Sequence, residues 1–69
     1  MRNYRFEIDG RNFAISEGPD LTINGRAMTE WEVREDHGDR YYQFGNAYLP
    51  RRATKAQIGQ HIAENYAAA

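Results

Sequence analysis

The chain has 69 residues, nine basic and ten acidic, with two histidines, no cysteine and a net charge of −1. That length allows one small domain, and the missing cysteines exclude disulfides and thiolate zinc sites as staples for its core. A near-neutral balance selects no partner by itself, while the aromatic and branched aliphatic content is too high for a disordered segment.

Tyr4, Phe6 and Ile8 alternate with Arg5, Glu7 and Asp9, the period of a half-buried strand. Asp9-Gly10 follows and signals a two-residue type I′ turn. With that turn, Ile8 faces Arg11, Phe6 faces Phe13 and Tyr4 faces Ile15, so the apolar residues meet on one side. A slip of one residue would undo the match. The same alternation leaves no apolar run of about 7–15 residues for a secretory signal. No stretch reaches the roughly 18 apolar residues of a membrane span. A cytoplasmic protein without a membrane role is the expectation.

Glu17-Gly18-Pro19-Asp20 breaks the pattern and reads as a loop. Asn24-Gly25 is a second hairpin signal that would set Leu21 opposite Met28; over 20–28 a hairpin and a loop both remain open. Trp31 and Val33 then alternate with Glu30, Glu32 and Arg34, and Asp36-His37-Gly38-Asp39 supplies a turn. With His37-Gly38 at the tip, Val33 faces Tyr42 and Trp31 faces Phe44. A short helix is the rival reading, because Thr29 and Glu32 have capping-box spacing, but it would put Trp31 and Val33 on different sides. Gly45-Asn46 breaks or bulges the return strand and Pro50 ends it.

Thr54 and Gln57 again have capping-box spacing, and Ile58, Ile62 and Tyr66 recur every four residues with His61 beside them. That predicts an amphipathic helix over about 54–67. Gly59 inside it points to close approach between helix and sheet. The expected fold class is α+β: a small antiparallel sheet of three to five strands, over about 3–49, packed against one C-terminal helix. Phe6, Ile8, Phe13, Ile15, Trp31, Val33, Tyr42, Phe44, Ile58 and Ile62 form the expected core.

Catalytic signals are weak. Ser16 is the only serine and stands at a strand end, and there is no glycine-rich phosphate loop. His37 lies between Asp36 and Asp39, a general-base or metal-ligand pattern, but at a hairpin tip these are ordinary turn residues. His61 borders the apolar stripe of the helix, too far from His37 in sequence to make a zinc signature. Arg51-Arg52-Ala53-Thr54 resembles a basic phosphoacceptor site, but Thr54 is better explained as a helix cap. The expectation is a protein that is not an enzyme and takes no cofactor or metal.

The charge distribution is more informative. Residues 17–39 hold seven acids and two bases; residues 40–62 hold four bases and no acid. The two segments either neutralise each other or form separate faces. In the first binding reading, Glu30, Glu32, Glu35, Asp36 and Asp39 form an acidic hairpin face that docks on a basic, nucleic-acid-handling surface of another protein. Size and class then suit an inhibitor or regulator of the phage or mobile-element type. In the second reading, Arg40, Tyr41, Tyr48, Arg51, Arg52 and Lys55 bind nucleic acid, bases on phosphates and aromatics on bases. A third reading is a homodimer or larger homo-oligomer joined through a strand edge at Tyr4 or Leu21–Ile23.

Overall fold

The computed structural model describes residues 1–68. Four strands follow one another as a meander: β1 (Asn3–Ile8), β2 (Arg11–Ile23), β3 (Arg26–His37) and β4 (Arg40–Pro50). They pair antiparallel in the order β1-β2-β3-β4. Helix α1 (Lys55–Ile62) follows and continues as a wider π-helical turn, Ala63–Ala67. This is the expected α+β architecture.

Asp9 and Gly10 both adopt positive φ, 52° and 76°, as a type I′ turn requires. The register is the one the alternation predicts: Ile8 with Arg11, Phe6 with Phe13, Tyr4 with Ile15. Asn24 and Gly25 repeat the geometry, at 51° and 77°, and Leu21 pairs with Met28, so 20–28 is a hairpin. The segment expected as a loop at 17–20 is instead part of β2, with a bulge between Glu17 and Asp20. Two features carry the strand through. β1 has already ended, so β2 is an edge there and tolerates Pro19, which has no N–H to donate. Gly18 also lies close enough to β3 that a Cβ would stand 2.8 Å from the Glu30 carbonyl oxygen.

The β3–β4 register corrects the sequence reading. The turn is Gly38-Asp39, not His37-Gly38, so His37 faces Arg40 and Glu35 faces Tyr42. A bulge beside Val33 then adds a residue, and Gly45, at φ 100°, takes the place opposite Val33. Trp31 therefore faces Ala47, and Thr29 faces Leu49. A small neighbour leaves room for the indole, which is wholly buried. Tyr42, expected in the core, is 59% exposed and only touches Phe44 edge-on at 4.8 Å.

One sheet face packs on the helix. Phe13, Ile15, Trp31, Val33, Ala47, Leu49, Ala53, Ile58 and Ile62 are buried there, with Tyr4, Phe6, Ile8, Phe44 and Tyr66 packed around them. Burying an isoleucine such as Ile58 or Ile62 contributes about 1.5–3 kcal/mol over leaving it in water. The helix starts where the sequence says: Thr54 Oγ1 accepts from the Gln57 N–H, and Gln57 Oε1 accepts from the Thr54 N–H. Gly59 meets the sheet at Phe6, where a Cβ would lie 2.8 Å from the ring.

Arg2 ties the segment before β1 to the link between β4 and the helix. Its side chain donates to Glu17 and to the carbonyl oxygens of Ala53 (3.0 Å) and Arg51 (3.1 Å). Its guanidinium also lies 5.0 Å above the Trp31 ring. The Trp31 indole N–H itself finds no acceptor among the described residues.

Candidate binding face

The helix covers one face of the sheet and leaves the other bare. Side chains alternate along β3, so Thr29, Trp31, Val33 and Glu35 point to the helix side, while Glu30, Glu32, Arg34 and Asp36 point to the open side. The acidic hairpin face proposed from the sequence is therefore split. Glu35 belongs to the interior side and is only 6% exposed. A single-residue step along a strand changes face, which excludes Glu35 from a surface containing Glu30, Glu32 and Asp36.

Glu35 has a structural role instead. Arg11 grips it with two hydrogen bonds, Nε to Oε2 at 3.0 Å and Nη2 to Oε1 at 2.7 Å, and passes a third to the Ala67 carbonyl oxygen. The pair ties the sheet to the end of the helix. Hydrogen bonding from Arg11 holds the Glu35 carboxyl below its ordinary pKa, against the opposing effect of desolvation. Glu17 is lowered in the same way, first by the Arg2 backbone N–H and then by its guanidinium.

On the open face, Asp36 is flanked by two cations. Arg5 Nη1 approaches its Oδ2 at 2.6 Å, and Arg34 Nε lies 3.1 Å from its Oδ1. The Arg34 N–H does not point along that contact and makes no hydrogen bond, so Arg5 is the stronger partner. Arg34 also lies 5.3 Å over the Tyr41 ring. These groups border a shallow depression of about 680 Å³ at the turn end, which Glu7, Asp39 and Arg40 also line. Its mixed charges favour neither sign of ligand.

Glu30 and Glu32 are different. No Arg, Lys or His nitrogen lies within ion-pair distance of either among the described residues. Across the sheet Glu32 stands between Ser16 and Asn46, and Glu30 stands beside Tyr48. The Tyr48 hydroxyl donates to Glu30 Oε1 at 3.0 Å, which pushes the phenol pKa up and fixes the ring while 45% of the residue stays exposed. The result is a flat patch of two carboxylates, an amide, a hydroxyl and a tyrosine. Asp39 sits apart, in the β3–β4 turn.

The basic and aromatic segment is not gathered into one surface. Arg40 and Tyr41 lie at the turn end of β4, and Arg51 and Arg52 follow its other end, eleven strand residues away. Tyr41 and Tyr48 face the open side, whereas the Lys55 ammonium lies 5.7 Å from the Tyr4 ring on the helix side. Arg51 is engaged with Asp20 and with the Leu21 carbonyl oxygen. Of the four acids of 17–39 that are held by arginines, Glu17, Asp36 and Glu35 are thus answered by Arg2, Arg5 and Arg11, and Asp20 alone by a base of 40–55. That pairing crosses from β1 and β2 and could not be read from segment totals.

Among the described residues no group of three or more His, Cys, Asp or Glu side chains is arranged to hold a metal ion, and no helix is long and apolar enough to cross a membrane. Comparison with known proteins brings out no match, whether among protein-family models, curated proteins or solved structures.

Proposed function

We propose that this is a small non-enzymatic binding protein, an inhibitor or regulator that acts by protein–protein contact through the open face of its sheet. The observation that carries the reading is the pair Glu30 and Glu32. Of the acids in 17–39, Glu17, Asp20, Glu35 and Asp36 are held in ion pairs and Asp39, without one among the described residues, sits apart in the turn, while these two stand side by side without a cation on an uncovered face. Their charge is available to a partner. Tyr48, held by Glu30, adds the rigid amphipathic ring that is enriched at protein interfaces. The complementary surface is basic, of the kind that a nucleic-acid-handling protein presents to phosphates.

The test is charge reversal that spares the fold. Glu30→Lys with Glu32→Lys leaves Asp36, Glu35 and Glu17 in their ion pairs, so circular dichroism should be unchanged. A pull-down from the native host, read by mass spectrometry, should then lose the partner recovered by the wild-type chain. Recovery of the same partner in the same amount by the folded double variant refutes the reading.

A further inference from the structure

The sheet's edges are not equally protected. β1 is six residues long and carries both signs of charge, with Lys55 of the helix over its Tyr4 ring. The distal edge of β2 holds Pro19, which offers no donor, and Asp20. β4 is eleven residues long and has no strand on its outer side. Its bulge disturbs the ladder only around Gln43–Gly45; from Gly45 to Leu49 it pairs regularly with β3, so its free side presents an ordered row of main-chain groups.

The helix leaves a groove at the Leu49 end of that stretch. α1 leans toward β1, with Gly59 against Phe6 and Lys55 over Tyr4. Its opposite flank, Gln57, His61 and Glu64, stands back from β4 and encloses a groove of about 520 Å³ floored by Leu49 and Ala53 and bordered by Arg52. From Arg40 to Ile62 the sequence holds no acid, and Arg52 has no carboxylate within ion-pair distance among the described residues. Glu64 is the one acidic residue among those lining the groove.

We propose that the Gly45–Leu49 edge and this groove form a strand-addition site for an extended acidic segment of a partner protein. The added strand would take the free amides and carbonyls of β4, place an apolar side chain over Leu49 and Ala53, and set a carboxylate against Arg52. The site does not rest on the function proposed above: Asn46 and Tyr48 give their side chains to the open-face patch, but a strand added here would use their main chain and the groove on the helix side. A second copy of this chain fits less well, since antiparallel pairing of two β4 strands would bring Arg40 of one toward Arg51 and Arg52 of the other. A nucleic acid fits less well too, because its phosphates call for clustered bases and these are dispersed.

The experiment selects binders from a random peptide display library against the intact chain and maps them by amide chemical shifts. The expected binders alternate apolar and acidic residues and shift Gly45–Leu49, Arg52 and the Gln57–His61 flank. Arg52→Glu should weaken them about tenfold. N-methylation of alternate peptide amides should abolish binding, and charge reversal at the opposite edge of the sheet, Glu7→Lys, should leave it unchanged. The proposal is overturned by an absence of enriched binders, by shifts confined to the open face, or by binding that survives N-methylation. Tighter binding of oligothymidine at the same amides, or sedimentation showing that self-association covers them, overturns it as well.

Discussion

Replacing Gly59 by alanine sets two effects of known sign against each other. In an open helix the change stabilises by about 1 kcal/mol, because glycine is the poorer helix former. Here the new methyl would stand 2.8 Å from Phe6 Cε1, 3.1 Å from Cδ1 and 3.4 Å from Cζ. Either the ring, already packed beside Tyr4 at 6.2 Å, must move, or the helix must lift off Ile15 and Val33. Overpacking of this kind costs about 1–3 kcal/mol. The net expectation is a destabilisation of up to about 2 kcal/mol, or a fall in Tm of up to several degrees for a chain this size. Thermal and urea unfolding followed by circular dichroism would measure it. The same substitution in a Phe6→Leu background, where the obstructing ring is gone, should instead stabilise by about 0.5–1 kcal/mol. A stabilising Gly59→Ala in the native background, or an effect of the same sign in both, would refute the argument that helix and sheet are in contact there.

Gly18→Ala should be more damaging and without such a remedy, because its Cβ meets the Glu30 carbonyl oxygen rather than a side chain; a loss of about 1–3 kcal/mol in urea unfolding is expected. Thr54→Ala removes the acceptor for the Gln57 N–H and should cost about 1 kcal/mol by the same assay. Glu17 and Glu35 titrate below the ordinary carboxylate value of 4.5 when folded, so the unfolded chain binds more protons in that range. Their contribution to stability is complete above about 4.5 and is lost as pH falls through the folded values. Glu17→Gln with Glu35→Gln should flatten the acid side of the stability–pH curve, measured as urea midpoints; an acid side as steep as wild type would contradict the assignment.

The parts of the fold visible in the sequence were those written in local rules. Asp9-Gly10 can take two successive positive φ angles, and that sets the first hairpin register; Asn24-Gly25 offers the same geometry, but with a loop equally open over 20–28 only the structure settles it as a hairpin. Thr54 and Gln57 marked the helix start in the same way. The β3–β4 pairing was harder, because matching apolar residues across the turn rewarded Trp31 with Phe44 and Val33 with Tyr42. The chain instead gives Trp31 the small Ala47, and it reaches that register through a bulge that pattern matching does not count. Pro19 misled for a related reason, since it forbids a central strand but not an edge, and the short β1 makes β2 an edge there. At the candidate site, the alternation along β3 sets Glu30 and Glu32 on one face, and the same alternation puts Glu35, which the acidic-face reading includes, on the other. Which carboxylates keep their charge free depended on arginines from β1 and β2, and no spacing rule links Arg11 to Glu35 or Arg5 to Asp36.

The four-way grip of Arg2 bears on the order of assembly. Each hairpin turns in two residues and can zip as soon as it leaves the ribosome, yet Arg2 completes its bonds only with Arg51 and Ala53, 49 and 51 positions downstream. Until those carbonyls emerge, the meander exists as a sheet whose Trp31 and Val33 side faces water. The helix, which follows those carbonyls in the chain, is therefore the element that seals the interior, and Arg2 is its latch.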